Sequence, residues 1–114
     1  MKLEQLKKLA INALEERKAS DITVLDVSNM TSITDVMIIA TGTSRRQVSA
    51  IAGNVAETAK HEGNPPIGVE GMEYGEWVLV DLGDVIVHVM MPQTREFYNL
   101  EKLWQMDTTS ASES

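Results

Sequence analysis

The stretch EGMEYGEWVLVDLGDVIVH, Glu70 to His88, decides how this chain folds. Two apolar runs flank Leu82-Gly83, which reads as a two-residue hairpin loop. That loop sets a register in which Asp81 opposes Asp84, Val80 opposes Val85, Leu79 opposes Ile86, Val78 opposes Val87 and Trp77 opposes His88. Side chains alternate across a strand. One face therefore carries Val78, Val80, Val85, Val87 and Val89, the pattern of a core. The other carries Trp77, Leu79, Asp81, Asp84, Ile86 and His88. It is apolar in the middle, acidic at the turn and sets a tryptophan beside a histidine, a composition suited to meeting a partner. On this reading Trp77 lies outside the core, and its removal leaves the fold intact.

Outward from the hairpin, Leu3, Leu6, Ala10, Ala13 and Leu14 recur at three- and four-residue spacing, so residues 2 to 18 read as an amphipathic helix. DITVLDV (21–27) is rich in β-branched residues and reads as a strand, and polar turn material follows at 29–34. DVMIIAT (35–41) is nearly continuous apolar, as in a strand buried on both faces. Gly42-Thr43-Ser44 breaks it, and Ser44 with Gln47 forms a capping box for a second helix striped by Val48, Ile51, Ala52, Val55 and Ala59. Gly63 and Asn64-Pro65-Pro66 stop that helix. Ile67 to Glu70 forms a short peripheral strand, and REFYNLEKLW (95–104) a short helix after a turn at Pro92.

The order is thus α-β-β-α-β-β-β-α: an α/β fold with a mixed sheet of about five strands. Two long helices suffice for one face of such a sheet, leaving the Trp77/His88 side partly open. Residues 1–106 form a single domain, and DTTSASES (107–114) has no apolar anchor and forms a mobile tail.

The chain of 114 residues has no cysteine, which excludes disulfides, thiolate metal sites and thiol nucleophiles and is compatible with a cytoplasmic setting. No run approaches a membrane span, and Glu4, Lys7 and Lys8 interrupt any signal-like segment near the start. A formal net charge of −7 argues against direct nucleic-acid binding and favours a basic partner.

Three constellations are candidates for chemistry. The Gly42-Thr43-Ser44 turn with Arg45 and Arg46 could take an anion at a helix start, but it lacks the glycine spacings of nucleotide phosphate loops, and a capping serine explains it. Asp81 and Asp84 make a carboxylate pair without an evident third metal ligand. His88 has no nucleophile partner and reads as a surface or half-buried side chain beside Trp77, while His61 reads as solvated. No cofactor is called for. Trp77 and Tyr98 read as interface aromatics, whereas Trp104 reads as core.

DITVLDV, DVMIIATGTSRRQVSAIAGNV, PPIGVEG, GEWVLVDLGDVIVHV and REFYNLEKLW, in this order from Met1 to Trp104, together resemble the ribosomal silencing factor family, RsfS or Iojap-related. The resemblance implies a nucleotidyltransferase-like fold without enzymatic activity. It also implies binding to the large ribosomal subunit through its ribosomal protein fourteen, beside an intersubunit bridge, so that the small subunit cannot join when nutrients are scarce. The paired carboxylates of a transferase are missing, because the residues at that spacing after Gly42 and Ser44 fall inside the second helix. On the matching positions, Trp77, Tyr98, Leu79 and Ile86 would supply apolar contact. Glu70, Asp81, Asp84 and Glu101 would face a basic protein, with His88 beside Trp77. The alternatives are a nucleotidyltransferase-like enzyme or nucleotide binder using the Gly42-Ser44 turn, and a homodimer formed through the hairpin face.

Overall fold

The structure, a computed structural model, describes residues 1–104. The proposed tail, and the last two residues of the expected domain, lie outside the described residues. The elements are α1 (Leu3–Glu16), β1 (Ser20–Asp26), β2 (Val36–Thr41), α2 (Arg45–His61), β3 (Gly68–Glu70), β4 (Trp77–Asp81), β5 (Val85–Met90) and α3 (Pro92–Tyr98). This is the order read from the sequence. The five strands form one mixed sheet in the order β1-β2-β5-β4-β3. β2 and β5 run parallel, and every other neighbouring pair is antiparallel.

Both long helices cover the same face. Leu6, Ala10, Ala13 and Leu14 of α1, with Val48, Ile51, Ala52, Val55 and Ala59 of α2, close over Val36, Ile38, Ala40, Val78, Val80, Val85, Val87 and Val89. The valine face of the hairpin is therefore core, as alternation requires. Every residue of β2 is buried, as its unbroken apolar run implies. α2 ends in a Schellman arrangement around Gly63, with Gly63 N–H donating to Lys60 O and Asn64 N–H to Ala59 O.

The hairpin register differs from the expected one. Trp77 pairs with Met90, Val78 with Val89, Leu79 with His88, Val80 with Val87 and Asp81 with Ile86. Leu82 N–H donates to Val85 O, so the two loop residues are Gly83 and Asp84. Asp81 and Asp84 do not oppose each other. The reason is conformational: the first loop position takes φ +94, which Gly83 adopts at little cost. Leu82 would be strained there and is instead buried in the core. Moving the loop by one residue moves the pairing by two, and a shift of two preserves which side chains share a face.

Two further boundaries differ. The last helix starts at Pro92, which is tolerated in a first turn, and stops at Asn99, whose φ of +47 is left-handed. Residues 100–104 then resume as a separate helical segment, so 95–104 is not one continuous helix. Ser44 caps α2 as expected, its Oγ accepting from Gln47 N–H at 3.1 Å. Gln47 completes only half of the capping box, because its Oε1 accepts from Thr43 N–H and Thr43 Oγ1 at 2.6 Å rather than from Ser44.

Candidate partner-binding surface

The second sheet face is built from cross-strand rows. Glu70, Leu79, His88, Ile39 and Thr23 follow one another across β3, β4, β5, β2 and β1. The adjacent row on one side holds Asp81, Ile86, Met37 and Leu25, and on the other side Trp77 and Met90 stand paired. Six of the nine residues nominated from the sequence (Glu70, Trp77, Leu79, Asp81, Ile86 and His88) therefore share this face. Asp84 sits exposed at the hairpin tip, while Tyr98 and Glu101 come from the segment that crosses the face.

Trp77 reaches this face because the preceding loop reverses sharply. Gly71 has φ +90, and a Cβ there would lie 2.1 Å from Trp77 O. The chain then returns from β5 alongside Trp77, with Met91 N–H bonded to Glu76 O. This brings α3 over the indole. The Tyr98 and Trp77 rings lie 4.9 Å apart and tilted by 48°, and Phe97 meets Tyr98 edge-on at 5.0 Å. Tyr98 is 54% exposed, Phe97 80% and Leu103 61%, so the aromatic surface continues past the residues chosen from sequence. Phe97 and Tyr98 end a helix that buries none of its side chains.

Beneath this surface the face is not open. Leu25, Val27, Met37, Ile39 and Met90 form a second apolar cluster, against which Trp77, Leu100 and Trp104 pack. Trp104 is thus partly core, as expected. Trp77 is a two-sided residue, half-buried and packed on this cluster, so its removal disturbs the fold as well as the surface. His88 is buried rather than a surface or half-buried residue, at 5% exposure, because Trp77 lies over it. Its Nδ1 accepts from Trp77 Nε1–H at 2.9 Å, so the neutral ring carries its proton on Nε2. Burial pushes its pKa down to about 4.

The acidic residues also divide. Glu70 and Asp84 are exposed. Asp81 is half-buried, with Oδ1 accepting from Gly83 N–H at 2.9 Å. Glu101 does not face outward to await a basic partner, because Arg95 Nε already donates to its Oε1 at 2.7 Å. That hydrogen bond holds the Glu101 carboxyl below its ordinary range against the opposing effect of burial. Arg95 also donates from Nη1 to Asp21 O and Thr41 Oγ1 and from Nη2 to Thr23 Oγ1. One guanidinium therefore fastens α3 and the 100–104 segment to β1 and β2.

Nothing local in the sequence marked Arg95, since its partners lie up to 74 residues away. Arg95→Ala is expected to lower stability by about 2 kcal/mol, because several charge-assisted hydrogen bonds go and Glu101 loses its partner. Chemical denaturation measures it, and Arg95→Lys should recover less than half, lacking the planar fork. A loss within about 0.5 kcal/mol, the range of an ordinary surface change, would show that the clasp does not hold the segment.

The Ser44 turn is occupied by its own chain. Ser44 Oγ caps Gln47, and Gln47 in turn takes up the Thr43 N–H. Among the described residues no three His, Cys, Asp or Glu side chains converge as metal ligands. No described helix is long and apolar enough to cross a membrane.

A five-stranded mixed sheet with both long helices on one face, and an aromatic surface on the other, defines a mixed α/β domain. Comparison with known proteins places it more narrowly. The family described as "Ribosomal silencing factor during starvation", RsfS, matches residues 1–114. The chain belongs to the RsfS family. A "Ribosomal silencing factor RsfS" from Chromobacterium violaceum is 52% identical over 104 residues, covering 91% of this chain and 85% of that protein. A crystal structure of a protein from the same organism superposes with a TM-score of 0.90 at 52% identity, covering 91% of this chain and 87% of the other. A more distant relative, "Mitochondrial assembly of ribosomal large subunit protein 1" from Mus musculus, is 35% identical over 86% of this chain and 44% of its own length.

Proposed function

We propose that this chain is a non-enzymatic ribosomal silencing factor of the cytoplasm. It binds the large ribosomal subunit through ribosomal protein fourteen at an intersubunit bridge, blocks joining of the small subunit and so represses translation under nutrient limitation. The observation that carries this reading is the aromatic surface of Trp77, Tyr98 and Phe97, with Tyr98 and Phe97 largely exposed, Glu70 exposed on the same sheet face and Asp84 exposed at the hairpin tip. Aromatic anchors within a polar, acidic surround suit a basic protein better than nucleic acid. The family's description names silencing during starvation, and the mouse relative's name concerns the large subunit. Occlusion needs no turnover: the bound domain occupies the space the small subunit requires, and mass action does the rest.

A sucrose-gradient profile tests this directly. Mixed with separated subunits, the protein should move with the large subunit. Added before the small subunit, it should diminish the joined-ribosome peak. Sedimentation with the small subunit, or retention at the top of the gradient, would refute the reading.

The charge component has its own measurement. Reversing Glu70 and Asp84 to lysine should slow association about tenfold at low ionic strength and much less at high salt. Asp81 is not suited to this test, because lysine there also loses the turn bond to Gly83. An association rate indifferent to both charge and salt would remove steering from the mechanism.

A further inference from the structure

The proposed surface rests on a buried bond that no surface residue explains. His88 is 5% exposed, and its Nδ1 accepts the indole N–H of Trp77 at 2.9 Å. The two rings lie 5.9 Å apart, and the indole's other neighbour is Tyr98 at 4.9 Å. The indole is thus held between a hydrogen-bond acceptor fixed in the sheet and the phenol ring of Tyr98 on α3. β5 is the central strand of the sheet, so the acceptor sits on a strand paired along both edges.

We infer that His88 is a positioning residue for partner binding: its Nδ1 locks the Trp77 indole in the orientation that presents it, with Tyr98, as a preformed aromatic platform. This rests on the proposed use of that face for the large ribosomal subunit. An indole already ordered before contact loses little side-chain freedom on binding, and the gain falls mainly on the dissociation rate. An aliphatic side chain at position 88 would fill space beneath the indole but leave its N–H without an acceptor, so that packing alone would set the ring's orientation.

The test measures binding of the full chain to purified large ribosomal subunits and follows the indole proton by nuclear magnetic resonance. In the wild-type protein before binding, the Trp77 Nε1 proton should exchange slowly with solvent, its signal being told from that of Trp104 with Trp104→Phe. His88→Leu should speed that exchange and weaken binding about fivefold to tenfold, chiefly through faster dissociation. His88→Asn, whose Oδ1 can stand near the place of Nδ1, should restore most of both. In a Trp77→Phe background, which keeps a ring but has no N–H, His88→Leu should have no further effect on binding.

Equal weakening by the leucine and asparagine variants, or an undiminished leucine effect in the Trp77→Phe background, would mean that His88 acts only through general stability and would overturn the proposal. So would wild-type affinity in His88→Leu. If His88→Leu does not fold, the exchange rate in the wild-type protein decides, and an unprotected indole proton overturns the proposal. Failure of the functional reading looks different: Tyr98→Ala would then bind large subunits as the wild type does, whatever happens at position 88.

Discussion

Tyr98→Ala is expected to lower affinity for large ribosomal subunits by roughly thirtyfold to a thousandfold, about 2–4 kcal/mol, the range of an interface hot spot. Its unfolding transition should move by no more than about 1.5 kcal/mol, the worth of the lost ring contact with Trp77. The separation of the two effects follows from placement. Tyr98 is 54% exposed at the end of a helix that buries no side chain, so the folded monomer loses little without it. A partner that covers Tyr98 and Phe97 loses its anchor. Trp77→Ala should behave differently and reduce both quantities. It removes an indole packed on the second apolar cluster and leaves the buried Nδ1 of His88 without its donor, which alone costs about 1–3 kcal/mol. Gradient co-sedimentation and thermal unfolding, run on both variants, separate the exposed anchor from the half-buried one. A Tyr98→Ala protein that melts as early as Trp77→Ala would show that the phenol ring is part of the core.

Mild acid should destabilise the protein through His88. Burial holds the native His88 pKa near 4, whereas an unfolded histidine titrates near 6.5. Between these values the unfolded chain takes up a proton that the native state refuses, so stability rises with pH across this window. The contribution is fully present above about pH 6.5 and is lost progressively as the pH falls to about 4. At about 1.4 kcal/mol per pH unit, the whole window is worth about 3 kcal/mol.

Glu101 and Asp26 are both held below their ordinary values, so their contributions are lost only at lower pH. From pH 6.5 to 5 the loss carried by His88 is about 2 kcal/mol. For a domain of this size that lowers the melting temperature by roughly 8 °C. Melting curves at pH 7, 6 and 5 for the wild type and His88→Asn measure it. The variant should show a flatter profile, and a wild-type profile already flat between pH 7 and 5 would mean that the imidazole is not kept neutral by burial.

Local patterns carried most of the architecture. Eight elements in the right order, the burial of β2 on both faces and the helix stripes all follow from spacing along the chain. So does the division of the hairpin into a valine face and a Trp77/His88 face. That division survived an error in the register because the loop, misplaced by one residue, shifts pairing by two and leaves alternation intact. A turn with positive φ at Gly83 rather than Leu82 decided the true register, and this could have been weighed from glycine's conformational freedom alone.

The surface was legible in part. Trp77 and Tyr98 were nominated from opposite ends of a 21-residue separation, and their rings meet at 4.9 Å. Phe97 lies outside that reading: its exposure follows from α3 burying none of its side chains, which spacing along 95–104 does not show. What the sequence by itself determined was parity and periodicity: which side chains share a face, and which runs form helices or strands. These depend on backbone geometry repeating every two or 3.6 residues. Only the tertiary structure decided that His88 lies buried under Trp77, that Glu101 pairs with Arg95, and that Asn99 splits the last helix. Those outcomes depend on where the returning chain crosses the sheet. Arg95 there reaches Thr23 and Asp21 across more than seventy residues, and no local pattern encodes a contact at that separation.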